Sequence, residues 1–567
     1  MTTALGTIDW SIIVLYLVGI TAVGISSARR STESSENYFL AARSLRWPTI
    51  GLALFATNIS TVHLIGLASS GFSTGMVVGN FEWLAATCLV LLGLVFAPFY
   101  FRSRVATLPE FLERRFSGGS RTMLAVMGVC GALFVHIGVS LYAGGVVVDE
   151  LLHPQTPGVD RASIVWSILI VSGLTVLYTV LGGLRAVVVT EAIQTILLLL
   201  GAAAVTLACF VALNDSAAAA GQGLVDYVAT NTRPDQLSAV HASGDYAWYA
   251  MLLGYPVLGI WYWCSDQTIV QRVLGAATVR DAQIGPLFAG FLKILPPLLM
   301  VLPGVFAYVL FRELIEANPD GTLVVLILEL LPPGVRGLVL AGLLAALMST
   351  VAGALNSTST LVSIDIVKRV WPATADRRLV RIGQATTVVV MILAMAWSTQ
   401  GDRFGGIFAG INQMIAVLAP PISAVFLLGV LWPRGTAQAA LATLVAGFAL
   451  GAAVFLVDFP AASGAILGNY TAATAPSEQL VGQPVQLITH GLGIGFMLQA
   501  WWLFAICSAL FVLCSLATPA PEPRIVSQYC YCRTAARSDK RRFASGSPGF
   551  LSIVLLGAIG ILYLIFS

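Results

Sequence analysis

Apolar residues recur along this chain in stretches of about twenty or more, the length that crosses ~30 Å of hydrocarbon as a helix. Fourteen such stretches are centred near residues 18, 58, 88, 136, 171, 199, 260, 297, 348, 389, 418, 446, 506 and 557. Only 10% of the 567 residues are charged, and the mean hydropathy is +0.88. Soluble domains carry about 25% charged residues, so the expectation is an all-α integral membrane protein with 14 transmembrane helices. The first stretch follows no basic run and precedes no clear small-residue cleavage site, which makes it a retained helix, not a signal peptide.

Cationic residues sort between alternate loops. Of the 30 Lys and Arg, 24 fall in the odd-numbered connections, from Arg29 and Arg30 through Arg272, Arg280, Lys368 and Arg369 to Arg542. Arg161, Arg233, Arg312, Arg336 and Arg403 occupy the others, and Lys293 is left over. Basic loops stay cytoplasmic, so both termini are expected to be extracellular or periplasmic, in a multi-pass protein of the cell (plasma or inner) membrane. The net charge of +3 mostly records this topology and points to no nucleic-acid partner. The polar stretches 214–245, 459–492 and 519–547 are too short for a core of their own. Cys530 and Cys532 share the last cytoplasmic loop; two thiols alone do not make a metal site, and their role stays open. Asn469-Tyr-Thr471 is a glycosylation sequon on the expected outer side.

Two spans carry polar residues at mid-depth. The second reads Ala56-Thr-Asn-Ile-Ser-Thr-Val-His63, and the seventh reads Gly254-Tyr-Pro-Val-Leu-Gly-Ile-Trp-Tyr-Trp-Cys-Ser-Asp-Gln267. Interrupted helices at matching positions of two inverted repeats build the binding site in many transporters. An offset of five spans makes the second repeat enter from the opposite side. Four segments follow: 1–45, a peripheral helix and cytoplasmic loop; 46–213, the first repeat (helices 2–6); 246–432, the second (helices 7–11); and 433–567, peripheral helices 12–14.

Lys293 lies in the apolar run Ala289–Met300, and an intramembrane ammonium needs a partner or a wet cavity. Ala346, Ser349 and Thr350 fall at i, i+3 and i+4, on one helix face. Their neutral oxygens, with carbonyls of an unwound Ala56–Ile59, suit Na⁺ better than a divalent ion; the same small residues also let helices pack closely. Asn58, His63, Glu82, Lys293 and Asn412 mix donors with acceptors, and Trp261, Tyr262 and Trp263 offer apolar faces, a set that fits a neutral polyhydroxylated solute. A carboxylate ligand would rather want an Arg or free helix N-termini. Equally open is that Glu82 and Lys293 only neutralise each other and that His63 is a satisfied core residue.

These residues resemble the sodium/solute symporter family, and within it the sodium–glucose (sodium–sugar) cotransporter branch. The resemblance runs from about residue 9 to residue 435 and is carried by Phe55–Ala68, Gly79–Trp83, Trp261–Arg272, Phe291-Leu-Lys293 with Leu302-Pro-Gly304, and Ala345–Asp365. It implies a five-plus-five inverted repeat (leucine-transporter-like fold) and a sodium site from the carbonyls of Ala56, Ile59 and Ala346 with the hydroxyls of Ser349 and Thr350. It further implies solute contacts from Asn58, His63, Glu82, Trp263 and Lys293, a gate at Tyr262, and Glu191 on the sodium exit path. Asn412 stands where many sugar carriers have Gln, which alters the reach of one amide. Ala352 and Gly353 replace the hydroxyls typical of members that move two sodium ions, so one Na⁺ per substrate is expected. No enzyme chemistry and no organic cofactor is expected, because no nucleophile–base pair or metal cluster appears at membrane depth. The expected partners are Na⁺, a small polar solute and the bilayer. The sequence leaves two alternatives open: a symporter of inositol, a monocarboxylate or an amino acid, or a sodium- and sugar-gated sensor.

Overall fold

The computed structural model describes residues 5–28, 33–152, 161–398, 407–458, 494–531 and 545–567. Among them there is no strand, only two isolated bridges. The main helices are α1 (Thr7–Ser27), α2 (Trp47–Asn58), α3 (Thr61–Ser73), α4 (Met76–Ser103), α5 (Gly118–Gly145) and α6 (Arg161–Ala219). They continue with α7 (Trp248–Gly259), α8 (Gln267–Leu274), α9 (Val279–Leu292), α10 (Leu302–Ile315) and α11 (Val335–Thr360). Last come α12 (Asp376–Ser398), α13 (Ile407–Leu431), α14 (Ala437–Asp458), α15 (Phe496–Ala517) and α16 (Pro548–Ile565).

Eleven helices among the described residues are long and apolar enough to cross a membrane, or twelve when the bent pair α2–α3 is one span. Two features account for the difference from the fourteen apolar stretches of the sequence. Helix α6 covers 59 residues, about 90 Å at 1.5 Å per residue, far beyond one hydrocarbon thickness. It breaks at Gly183 (φ 56°, ψ −155°), a backbone region essentially reserved for glycine. A Cβ there would also stand 2.5 Å from the Tyr38 carbonyl. The run Trp248–Ser265, in turn, ends before Asp266 and is rich in Trp, Tyr and Gly, and it is not among the eleven. Helix α6 runs on to Ala219, past residue 213.

Burial ranks the helices from centre to rim. In Val335–Val370, the stretch containing α11, 89% of the most apolar window is buried, against 28% for α1, 28% for α15 and 22% for α16. The Ala, Gly, Ser and Thr of α11 keep its surface low, which lets α6 and α2 approach closely. Helix α9 lies along α2, α10 along α3, and α13, α14 and α15 pack on one another.

Cys530 is buried, with its sulfur 3.5 Å from the Gly429 carbonyl. Burial pushes its thiol up while the neighbouring Arg115 pulls it down. The Arg115 guanidinium donates to the carbonyls of Gly429, Trp432 and Gly435 at the end of α13, as a C-terminal cap does. Cys532 and Asn469 lie outside the described residues.

Candidate functional site

Helix α2 ends at Asn58 because Ile59 (φ −76°, ψ 95°) and Ser60 (φ −93°, ψ 174°) are extended; α3 then leaves at 62°. Ser60 starts α3 as an N-cap, and the His63 ring reaches back to the Ser60 backbone N–H (3.4 Å), a capping box with imidazole in the usual Glu position. Termination strips helical partners from the last carbonyls of α2, and α11 meets them. Ser349 Oγ lies 2.9 Å from the Ala56 carbonyl and 3.0 Å from the Ala346 carbonyl. Thr350 Oγ1 donates to the Thr57 carbonyl at 3.1 Å. Four of the five expected sodium ligands, Ala56, Ala346, Ser349 and Thr350, therefore converge, and Ile59 sits in the extended break beside them, fully buried. Each hydroxyl keeps lone pairs for a cation, and every oxygen in the set is neutral, a donor chemistry suited to a monovalent hard ion.

One layer away lies a buried ion pair whose cation is among those counted in the odd-numbered connections. Arg272, on α8, is fully buried; its Nη2 stands 2.5 Å from Glu191 Oε1 and its Nε 3.3 Å from Oε2. Glu191 Oε1 also accepts from Thr57 Oγ1 (2.9 Å), the neighbour of Ala56. Lys293 is thus not the sole basic group of the interior. Arg272 was read as a loop residue because its partner is 81 residues away and invisible to local sequence. Gly353 touches this pair: a Cβ there would meet Arg272 Nη2 at 2.5 Å and Glu191 Oε1 at 3.2 Å.

Beside the oxygen cluster opens a cavity of about 90 Å³, lined by Asn58, His63, Glu82, Tyr262, Trp263 and Thr350. On the same measure one water occupies ~10–15 Å³, so the space suits a small polar molecule. His136, Ser140 and Tyr255 also line it, and sequence reasoning missed all three. A signal existed for His136. It lies at the centre of an apolar span, where any ionisable side chain is a candidate for function.

Lys293 takes a different place from the one expected. It caps the C-terminus of α9, is buried, and stands behind the cavity wall. Its ammonium donates to Asn58 Oδ1 and Glu82 Oε2 and lies 5.3 Å from the Trp263 ring centre and 5.6 Å from that of Phe55. Three of the lining residues are therefore fixed by one cation, through charge-assisted hydrogen bonds and a cation–π contact. Trp261 turns away from the cavity and stacks on His136 (6.2 Å, 12°), while Tyr262 and Trp263 pack edge to face at 5.0 Å. The side chain of Asn412 lies outside the described residues; Ile415, three residues on along α13, is in the cavity wall. No group of three metal-ligating side chains occurs among the described residues.

Comparison with known proteins decides the family. The profile of the sodium:solute symporter family matches residues 38–447. The chain belongs to that family. This symporter is 34% identical over 487 residues to sodium/myo-inositol cotransporter 2 of Mus musculus, covering 80% of this chain and 70% of the relative. It is 32% identical over 572 residues to sodium/glucose cotransporter 1 of Ovis aries, covering 94% and 82%. With the sodium/mannose cotransporter of Bos taurus it shares 34% over 546 residues, 91% of this chain and 87% of that one. A solved Na⁺-coupled sialic acid symporter, in a substrate-bound outward-open state, matches at a TM-score of 0.70 over 91% of this chain and 99% of its own. At 18% identity that likeness shows a shared fold. The symporter is a multi-pass protein of the cell membrane that couples sodium to a solute.

Proposed function

We propose that this symporter imports a neutral polyhydroxylated solute, a hexose or a related polyol such as an inositol, with one Na⁺ per substrate, by alternating access. One observation carries the reading: Thr350 gives its hydroxyl to the oxygen cluster and is also a residue of the cavity wall. Sodium among Ala56, Ile59, Ala346, Ser349 and Thr350 would hold the broken helix in shape and so present Asn58 and His63 to the solute. Glu82 is neutralised by Lys293, and the lining among the described residues contains no Arg, so the cavity favours a neutral ligand over a carboxylate. Tyr262 and Trp263 supply apolar faces, with Tyr262 as the gate; Asn412 is proposed to complete the wall from α13. Names of the relatives, which carry glucose, mannose and myo-inositol with sodium, support the same class.

The single-sodium stoichiometry rests on Ala352 and Gly353, which offer no hydroxyl for a second ion; at Gly353 a Cβ would in addition crowd Arg272 Nη2 at 2.5 Å and Glu191 Oε1 at 3.2 Å. Glu191, one residue contact from the oxygen cluster, would take the ion on its way to the cytoplasm. One ion is enough energetically. A charge crossing 100 mV yields ~2.3 kcal/mol and a tenfold gradient adds ~1.4 kcal/mol, enough for roughly several-hundred-fold accumulation. The frame proposed for this cycle is fourteen spans with both termini outside. Helices 2–6 (46–213) and 7–11 (246–432) form the inverted repeats, and 1–45 and 433–567 are peripheral.

The test is uptake into proteoliposomes of D-glucose, D-mannose and myo-inositol, with and without an inward sodium gradient. Concentrative, sodium-dependent uptake of at least one is expected. Uptake of none of them, or uptake indifferent to sodium, sinks the proposal; a sugar-gated ion leak with neither counterflow nor accumulation would make the protein a sensor.

A further inference from the structure

Two imidazoles line the cavity, and their backbone and carboxylate neighbours fix the same Nε2–H tautomer in both while engaging opposite ring nitrogens. At the first break, the Ser60 backbone N–H points at His63 Nδ1 (3.4 Å), and Ser60 Oγ lies 3.1 Å from the same atom. A backbone N–H only donates, so Nδ1 of His63 is the acceptor and Nε2 carries the proton. At the second break it is the protonated nitrogen that the protein engages. His136 Nε2 stands 3.3 Å from Asp266 Oδ2, and the other oxygen of Asp266 accepts the Thr268 N–H (2.6 Å) as the N-cap of α8. An ionised carboxylate only accepts, so Nε2 of His136 carries the proton and Nδ1 keeps its lone pair. The ring is held in that orientation between Trp261, stacked at 12°, and Tyr262 at 5.8 Å. Asp266 does not line the cavity and His136 does, so Nδ1, the nitrogen that Asp266 does not engage, is the one available to a solute there.

We infer that His136 is a substrate-contacting residue, its Nδ1 accepting a hydrogen bond from a solute hydroxyl, and that Asp266 is the positioning residue that fixes its tautomer. His63 is then the donor of the pair and His136 the acceptor. A hydroxyl is the group that satisfies both at once, since it donates one hydrogen and accepts on two lone pairs. An ether or fluoro substituent accepts from His63 and offers nothing to His136. A carboxylate has no proton to give at neutral pH. The pair thus selects hydroxylated solutes against their alkylated, fluorinated and acidic analogues. The inference rests on the proposed hydroxylated substrate and deepens it to a named recognition element.

The experiment uses the full-length protein in proteoliposomes and whichever of D-glucose, D-mannose and myo-inositol it accumulates. Monodeoxyfluoro analogues of that solute, one position at a time, compete for uptake. In the wild type, replacing the hydroxyl that donates to His136 should raise the inhibition constant about tenfold, the worth of one well-placed buried hydrogen bond. In His136→Ala that penalty should shrink to within about twofold, while it persists in His63→Ala, where the donation to His136 is intact. His136→Gln, whose amide oxygen can accept, should recover part of the affinity. Asp266→Asn keeps an N-cap residue for α8 but frees the tautomer; it should raise the solute KM and leave the sodium half-saturation and the maximal rate near wild type. If the fluoro penalty survives unchanged in His136→Ala, or if Asp266→Asn shifts sodium half-saturation as much as solute KM, the assignment is overturned. Poor yield of His136→Ala leaves the comparison of His136→Gln with Asp266→Asn to decide. Absence of any sodium-driven uptake in the wild type would instead refute the underlying substrate class, so the two failures are separable.

Discussion

The two helix breaks solve different problems with different chemistry. At Asn58–Ser60 the chain is extended, the bend is sharp, and the exposed carbonyls of Ala56 and Thr57 are met by two hydroxyls of the most buried helix. At Ile260–Ser265 the helix instead widens into π-helical turns and ends at Asp266, and its contacts are aromatic and ionisable: Trp261, Tyr262, Trp263, His136. Neutral oxygens packed at hydrogen-bond distance suit a bare ion that must be bound and released. Rings with a polar edge suit a molecule with apolar faces and hydroxyl rims. Lys293 ties the two together, since its ammonium reaches Asn58 of the first break and Trp263 of the second.

That division is open to attack from four sides. Removing both hydroxyls, Ser349→Ala with Thr350→Ala, should raise sodium half-saturation ~100-fold or abolish sodium dependence, as two contacts to a charged group are lost. Unchanged sodium dependence would mean that the first break is not the ion site. Lys293→Ala strands Glu82 as an unpaired buried carboxylate, costing about 3–5 kcal/mol. Folded yield should fall, and Lys293→Ala with Glu82→Gln should restore yield without restoring solute affinity. A larger shift in sodium half-saturation than in solute KM would move Lys293 to the ion's side of the comparison.

Gly353→Ala pushes a methyl into the Arg272–Glu191 pair and should lower the Tm of the detergent-solubilised protein, by about 1–3 kcal/mol of overpacking, with solute KM little changed. An unaltered Tm would show that the pair yields easily and that the one-sodium argument loses its steric basis. Thr57→Val removes a single hydroxyl from Glu191, worth ~1 kcal/mol, and should shift sodium half-saturation several-fold. A matching shift in solute KM would blur the line between the breaks.

Much of the frame was legible because hydropathy and helix period are local properties. The apolar stretches marked the membrane helices, the polar residues at 57–63 and 262–267 marked both breaks, and the i, i+3, i+4 spacing put Ala346, Ser349 and Thr350 on the face that meets Ala56 and Thr57. Three pairings were out of reach for a common reason. Arg272 looked like a loop cation until Glu191 was found against it, Lys293 looked like a wall residue until Asn58, Glu82 and Trp263 came between it and the cavity, and His136 looked like one more span residue until Asp266 was placed at its ring.

The sequence by itself determined that this chain is a bundle of membrane helices with two interruptions. It also determined which residue types the interruptions offer, because the cost of placing polar groups in hydrocarbon is paid residue by residue. Tertiary packing alone set which charges pair, which side chains stand in the cavity wall and which behind it, and which nitrogen of each histidine the protein itself engages. Those depend on the rotation and depth of each helix against its neighbours, and that is fixed by packing between segments far apart in the chain.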